Sequence, residues 1–173
     1  LILFTGSSSI RMWKNPQKDF NNDKILNRGF GGSEIQDLID NFDRIVMRYD
    51  PKLIVIYSGD NDIAAGKSAE QVYGDFCQLL GMIKTRLPET SVGYIAIKPS
   101  LARWDMVLEM QKTNNYINEC INGVEGAWFA DVYSVMIGMD GKPIPELFLE
   151  DGLHMTAEGY ALWTKVMKDH LTE

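Results

Sequence analysis

Residues 52–62 read KLIVIYSGDND. Five consecutive apolar residues, Leu53 to Tyr57, give way at once to a polar turn. A short apolar run without alternation is the mark of a strand covered on both faces. The same form recurs in LILFT (1–5), SVGYIAIKP (91–99) and GAWFADVY (126–133), with KILNRG (24–29) as a weaker fifth strand. Between these runs the apolar residues repeat at helical spacing. Ile35, Leu38, Ile39, Phe42, Ile45, Val46 and Tyr49 form one stripe, and Val72, Phe76, Leu79, Leu80, Ile83 and Leu87 a second. A third helix, from about Trp104 to Ile121, is less regular. The tail from Thr156 to Leu171 aligns Tyr160, Trp163, Met167 and Leu171. Such stripes are read as core packing rather than as cofactor contacts. Strands alternating with helical crossovers predict an α/β fold, a three-layer α/β/α sandwich on a mostly parallel sheet of about five strands.

With 173 residues, no internal repeat and no linker, the chain is expected to form one domain over 1–173. Its net charge of −7 argues against a nucleic-acid partner, because phosphate binding wants a basic face. No apolar run approaches a membrane span. No signal-peptide pattern opens the chain, which begins inside a predicted strand, so any such segment is expected upstream. Cys77 and Cys120 read as small core residues, not as a disulfide or a metal site.

Several familiar motifs fail on inspection. AAGKS (64–68) lacks the upstream glycine of a phosphate loop, since Asn61 stands there. GFGG (29–32) lacks the third glycine of a dinucleotide fingerprint, since Glu34 stands there. G-x-S-x-G fails at Ile10. GDND has too few spaced carboxylates for a calcium loop.

In parallel α/β sheets the reactive crevice lies at the carboxyl ends of the strands. Four polar segments fall there or in the one long irregular stretch, 134–155. GSSS (6–9) follows the first strand and is either a polar loop or the seat of a nucleophile. NRGFGGS (27–33) is either a tight turn or a set of backbone N–H groups facing a ligand. Asn61 in SGDND either ends the strand with an Asx-turn or offers an amide to an oxyanion. In EDGLHMTAEGY (150–160), Asp151 and His154 are either a turn before a helix or an orienting carboxylate and a base. The other histidine, His170, lies three residues from the end of the chain and reads as a surface residue. Taken singly, each segment is ordinary. Together they hold a nucleophile, a base, an orienter and two kinds of oxyanion donor, which is what acyl transfer needs.

These four segments, in this order, resemble the SGNH (GDSL-like) hydrolases over the whole chain. The resemblance implies a flavodoxin-like α/β/α fold and a serine esterase that needs no cofactor or metal. It makes Ser8 the nucleophile, with Ser7 where the family usually has aspartate. Gly32 supplies an oxyanion N–H together with that of Ser8. Gly59, Asp60, Asn61 and Asp62 match G-x-N-D, so Asn61 is the oxyanion amide. Asp151 and His154 match D-x-x-H and complete the triad. The implied partner is a small-molecule acyl ester, carried by an acetylated carbohydrate or a lipid. No long apolar lid is evident, which favours short acyl groups. Trp13, Arg103, Trp104, Leu153 and Met155 are the candidates to line the substrate site, the alternatives being core packing for the two tryptophans and a surface charge for Arg103. The departure at Ser7 keeps a rival open, a module on the same fold that binds an ester or glycan without turning it over. A second rival, a flavin or phosphate binder using the serine loop, leaves Asp151 and His154 unexplained.

Overall fold

The computed structural model describes residues 1–171. Its five strands are β1 (Ile2–Gly6), β2 (Ile25–Gly29), β3 (Leu53–Tyr57), β4 (Ser91–Ile95) and β5 (Ala127–Ala130). They pair in the order β2-β1-β3-β4-β5, every pair parallel. The chain passes from β1 outward to β2, then back across to β3. The order therefore reverses at β1 and β3, and a crevice opens at their carboxyl ends. In register, Gly29, Gly6 and Tyr57 stand side by side as the last residues of three neighbouring strands.

Helices cover both faces, as strands apolar on both sides require. Alternate strand residues serve alternate layers. Leu3, Ile54, Ile56, Val92 and Tyr94 pack with α3 (Ile35–Asp40), α4 (Phe42–Ile45), α6 (Ala69–Arg86) and α7 (Val107–Asn122). Phe4, Val55, Tyr57 and Ile95 pack against Trp13, Trp163 and Met167 on the other face. That layer is built from α1 (Ser8–Arg11), α2 (Pro16–Asp19), α8 (Val132–Val135) and α9 (Ala157–Leu171). The remaining helix, α5 (Asp60–Ala64), starts at the crevice. Among the described residues, no helix is long and apolar enough to cross a membrane.

Three predicted elements are shorter than their hydrophobic pattern. The stripe from Ile35 to Tyr49 is not one helix but α3, α4 and a 3₁₀ turn at Met47–Tyr49. At the break the Asn41 side chain donates to the Asp37 carbonyl (2.9 Å), competing with the backbone. Asp50 then adopts left-handed φ (44°) ahead of Pro51, which cannot continue a helix. GAWFADVY is a strand only to Ala130, because the Asp131 carboxylate caps α8 through the Ser134 N–H (3.1 Å). The helix expected from Trp104 begins with a 3₁₀ turn, Trp104–Met106, before α7.

The chain cannot leave β1 without glycine. Gly6 has φ +132°, and a Cβ there would lie 1.8 Å from the Tyr57 carbonyl oxygen on β3. Gly66 also has positive φ (+100°) but faces open space. We expect Gly6→Ala to cost about 3 kcal/mol or more, with Gly66→Ala nearer 1–2 kcal/mol. Urea unfolding of the two variants checks this, and equal losses would contradict it.

Candidate active site

The Ser7 N–H donates to the Tyr57 carbonyl (3.0 Å), which ties the end of β1 to β3. The next residue, Ser8, opens α1 at the crevice. Its Oγ lies 2.9 Å from His154 Nε2, across 146 residues of sequence. His154 Nδ1 lies 2.5 Å from Asp151 Oδ2. A ring nitrogen facing a carboxylate must carry the proton, so Nε2 is left to accept from the serine hydroxyl.

Local backbone bonds hold this arrangement. Asp151 Oδ1 accepts the N–H groups of Leu153 (2.9 Å) and His154 (3.0 Å), so the carboxylate folds back over its own turn. The Leu149 N–H donates to the His154 carbonyl (2.8 Å), and the Ala102 N–H donates to the Gly152 carbonyl (3.0 Å), anchoring the turn to the loop after β4. The bond from the His154 ring, aided by the Leu153 and His154 N–H groups, lowers the Asp151 pKa to about 2. Its carboxylate therefore stays charged well into acid.

Beyond β2, the turn places Gly32 at φ +74°, and a Cβ there would meet open space. Glycine is needed there for backbone conformation rather than for space. One residue on, the Ser33 carbonyl accepts from Asn61 Nδ2 (3.0 Å). Arg103 Nη1 donates to Asn61 Oδ1 (3.1 Å). A carbonyl can only accept and a guanidinium can only donate, so the Asn61 amide has one orientation. The second hydrogen of Nδ2 remains for another acceptor.

Asp60 and Asp62, which the sequence left without a role of their own, are both buried. Asp60 Oδ1 pairs with Arg103 Nη1 (2.6 Å) and Oδ2 with Lys98 Nζ (3.0 Å). Burial pushes the Asp60 carboxyl up, but Lys98 and Arg103 outweigh it and hold it below its ordinary value. Lys98 is 1% exposed and also reaches Ser9 Oγ and the Tyr57 hydroxyl, each at 3.2 Å. The signal for Lys98 was its place in IAIKP, a charge directly after an apolar run.

The expected substrate-lining residues divide. Trp13 packs in the core against Phe4, Phe20, Tyr160 and Trp163, and its Nε1 donates to Asp19 (2.7 Å). It also lines a hollow of about 570 Å³, with Met12, Leu149, Met155, Tyr160 and Ala161. Arg103, Trp104 and Leu153 do not line that hollow. Arg103 turns inward to Asp60 and Asn61, whereas Trp104 and Leu153 are half-buried. His170, in the last turn of α9, stacks its ring on Trp128 with 4.2 Å between ring centres.

Ser8, His154 and Asp151 thus stand in hydrogen-bonded line at the switch point of a parallel α/β/α sandwich, and the family to which the sequence matches is one of ester-bond hydrolases. Residues 7–162 match the GDSL-like lipase/acylhydrolase family, and the chain belongs to it. None of the curated proteins matches the sequence. Solved structures share the fold. A GDSL-like lipase from Bacteroides thetaiotaomicron has TM-score 0.84 and 22% identity over 98% of this chain and 86% of its own. A Streptococcus pneumonia protein provisionally assigned as a platelet activating factor has TM-score 0.87 and 23% identity, covering 98% and 83%. An acetylxylan esterase from Geobacillus stearothermophilus, as a catalytic mutant, has TM-score 0.80 and 13% identity, covering 99% and 94%.

Asp62 sets a pH test of the site's frame. Its Oδ1 accepts the Ile35 N–H at the start of α3 (3.1 Å), and burial raises its pKa from 3.8 to about 6. The folded chain thus binds this proton more tightly than the unfolded one. Stability contributed here falls as pH rises from 3.8 to about 6, and the penalty is complete above that. Asp62→Asn keeps the acceptor and removes the charge. Relative to wild type it should gain up to about 2 kcal/mol between pH 4 and pH 8. Denaturant unfolding at both values checks this, and a pH-independent difference would contradict it.

Proposed function

We propose that this chain is a serine acylhydrolase acting on short acyl esters through an acyl-enzyme. The observation that carries the reading is the unbroken line Asp151–His154–Ser8 at the crevice. Ser8 Oγ attacks the ester carbonyl while His154 Nε2 takes its proton. The imidazolium that forms is stabilised by Asp151, a carboxylate already held charged. The carbonyl oxygen becomes an oxyanion, received by the Ser8 and Gly32 N–H groups and by Asn61 Nδ2. His154 returns the proton to the leaving alcohol as the tetrahedral intermediate collapses. Water then repeats the sequence and frees the acid.

The 570 Å³ hollow gives the alcohol a place. Its walls come from the turn after α1 and from Met155 to Thr164, directly after His154. Ser8, His154, Gly32 and Asn61 do not line it, so it flanks the triad through Met155 rather than enclosing it. In this reading a leaving alcohol extends past His154 toward Met155, the residue that links the histidine turn to the hollow. A short acyl group and a larger alcohol, such as an acetylated sugar, suit that layout. The fold shared with an acetylxylan esterase is consistent with it.

Ser8→Ala should abolish hydrolysis of p-nitrophenyl acetate and butyrate, and Asn61→Ala should lower kcat about 10²- to 10³-fold. Equal activity in wild type and Ser8→Ala would overturn the reading. Ala161→Phe narrows the hollow. It should raise KM for 2-naphthyl acetate about tenfold and leave ethyl acetate unchanged. An equal effect on both esters would move the alcohol elsewhere.

A further inference from the structure

We propose that Arg103 is a positioning residue for the oxyanion amide, itself held in place by the buried Asp60–Lys98 pair. The inference rests on the acylhydrolase reading and goes beyond it in explaining how Asn61 is made effective. An asparagine side chain has a broad torsional well about its last bond, so an unrestrained amide samples many directions. The Ser33 carbonyl fixes only the nitrogen end of Asn61. Arg103 Nη1 fixes the oxygen end, and the same nitrogen is held 2.6 Å from Asp60 Oδ1. Donation into Oδ1 also polarises the amide, which strengthens the N–H left for a ligand.

The anchor runs on into the fold. Asp60 Oδ2 accepts from Lys98 Nζ (3.0 Å) and from the Tyr57 hydroxyl (2.8 Å). Lys98 Nζ in turn donates to Ser9 Oγ (3.2 Å), the residue after Ser8. One network therefore joins the serine turn to the oxyanion amide. Its formal charges are two cations against one carboxylate. The surplus of one positive charge sits on a largely buried cluster, with the Arg103 side chain at 19% exposure its outermost member, beside the position where a negative charge would develop. Buried ion clusters bring little net stability, because desolvation offsets their attraction. A use at the site accounts for this one better than packing does.

The test is a double-mutant cycle on p-nitrophenyl acetate with Arg103→Met, Asn61→Ala and the pair. Inhibition by butylboronic acid, which adds to serine as a tetrahedral anion, is measured alongside. Arg103→Met should lower kcat about 10- to 100-fold, weaken the boronate in proportion and leave KM within about threefold. Arg103→Lys should recover part of that loss. The pair should be no slower than Asn61→Ala alone, because Arg103 acts through Asn61. Independent, additive losses would overturn the proposal. So would a rise in KM with kcat unchanged, which is what direct substrate contact produces. The ¹⁵N side-chain signal of Asn61 reads the same coupling without turnover. It should shift in Arg103→Met, and an unmoved signal would overturn the proposal even if Ser8→Ala had already overturned the esterase reading.

Discussion

The hydrogen bond from Ser8 Oγ to His154 Nε2 joins two residues 146 positions apart. It exists because a parallel sheet delivers every strand to the same edge. β1 ends at Gly6 and Ser8 follows. The histidine arrives from the opposite end of the chain, on a turn stitched to the loop after β4. Tyr160 strengthens the link, donating its hydroxyl to the Ser9 carbonyl (2.7 Å) and so bracing α9 against the serine turn. If that edge were disordered, neither half of the site would have meaning.

Much of the fold was legible because buried parallel strands leave an unambiguous trace. LILFT and KLIVIY contain no alternation, so they had to be covered twice. Ends were harder. Asn41, Asp131 and Asp50 each end or bend an element through a local side-chain bond or a left-handed backbone, and periodicity does not register such bonds. Ile97 is a further instance. It continues the β4 run, but its N–H and carbonyl both go to the Asn114 side chain rather than to a strand.

The candidate site divides in the same way. Ser8, Gly32, Asn61, Asp151 and His154 fall in short segments that sequence order alone can single out. Their supports were legible only in part: Arg103 stood out as a substrate candidate and Lys98 as a charge after an apolar run, neither as a partner of Asp60. Lys98 and Arg103 come from the loop after β4, and only the closed sheet brings them to Asp60. Trp13, by contrast, illustrates how an aromatic residue serves two ends: its ring sits in a cluster with Phe20 and Trp163 while one edge faces the hollow. Ser7 stands where the family usually carries aspartate. It is 3% exposed, and its backbone carbonyl accepts the Ile10 and Arg11 N–H groups (3.1 Å each), closing the turn that presents Ser8. The neighbouring Ser9 hydroxyl accepts from Lys98 Nζ (3.2 Å), which ties the serine turn to the buried Asp60.

The most direct measurement is labelling with a fluorophosphonate, followed by intact mass and peptide mapping. A reactive serine needs both its base and its oxyanion donors, so the reagent reports the assembled site without assuming a substrate. One adduct per chain, on Ser8 and lost in His154→Ala, is the expected result. An adduct on Ser7 or Ser9, or labelling that persists without His154, would contradict the assignment of Ser8 and its base.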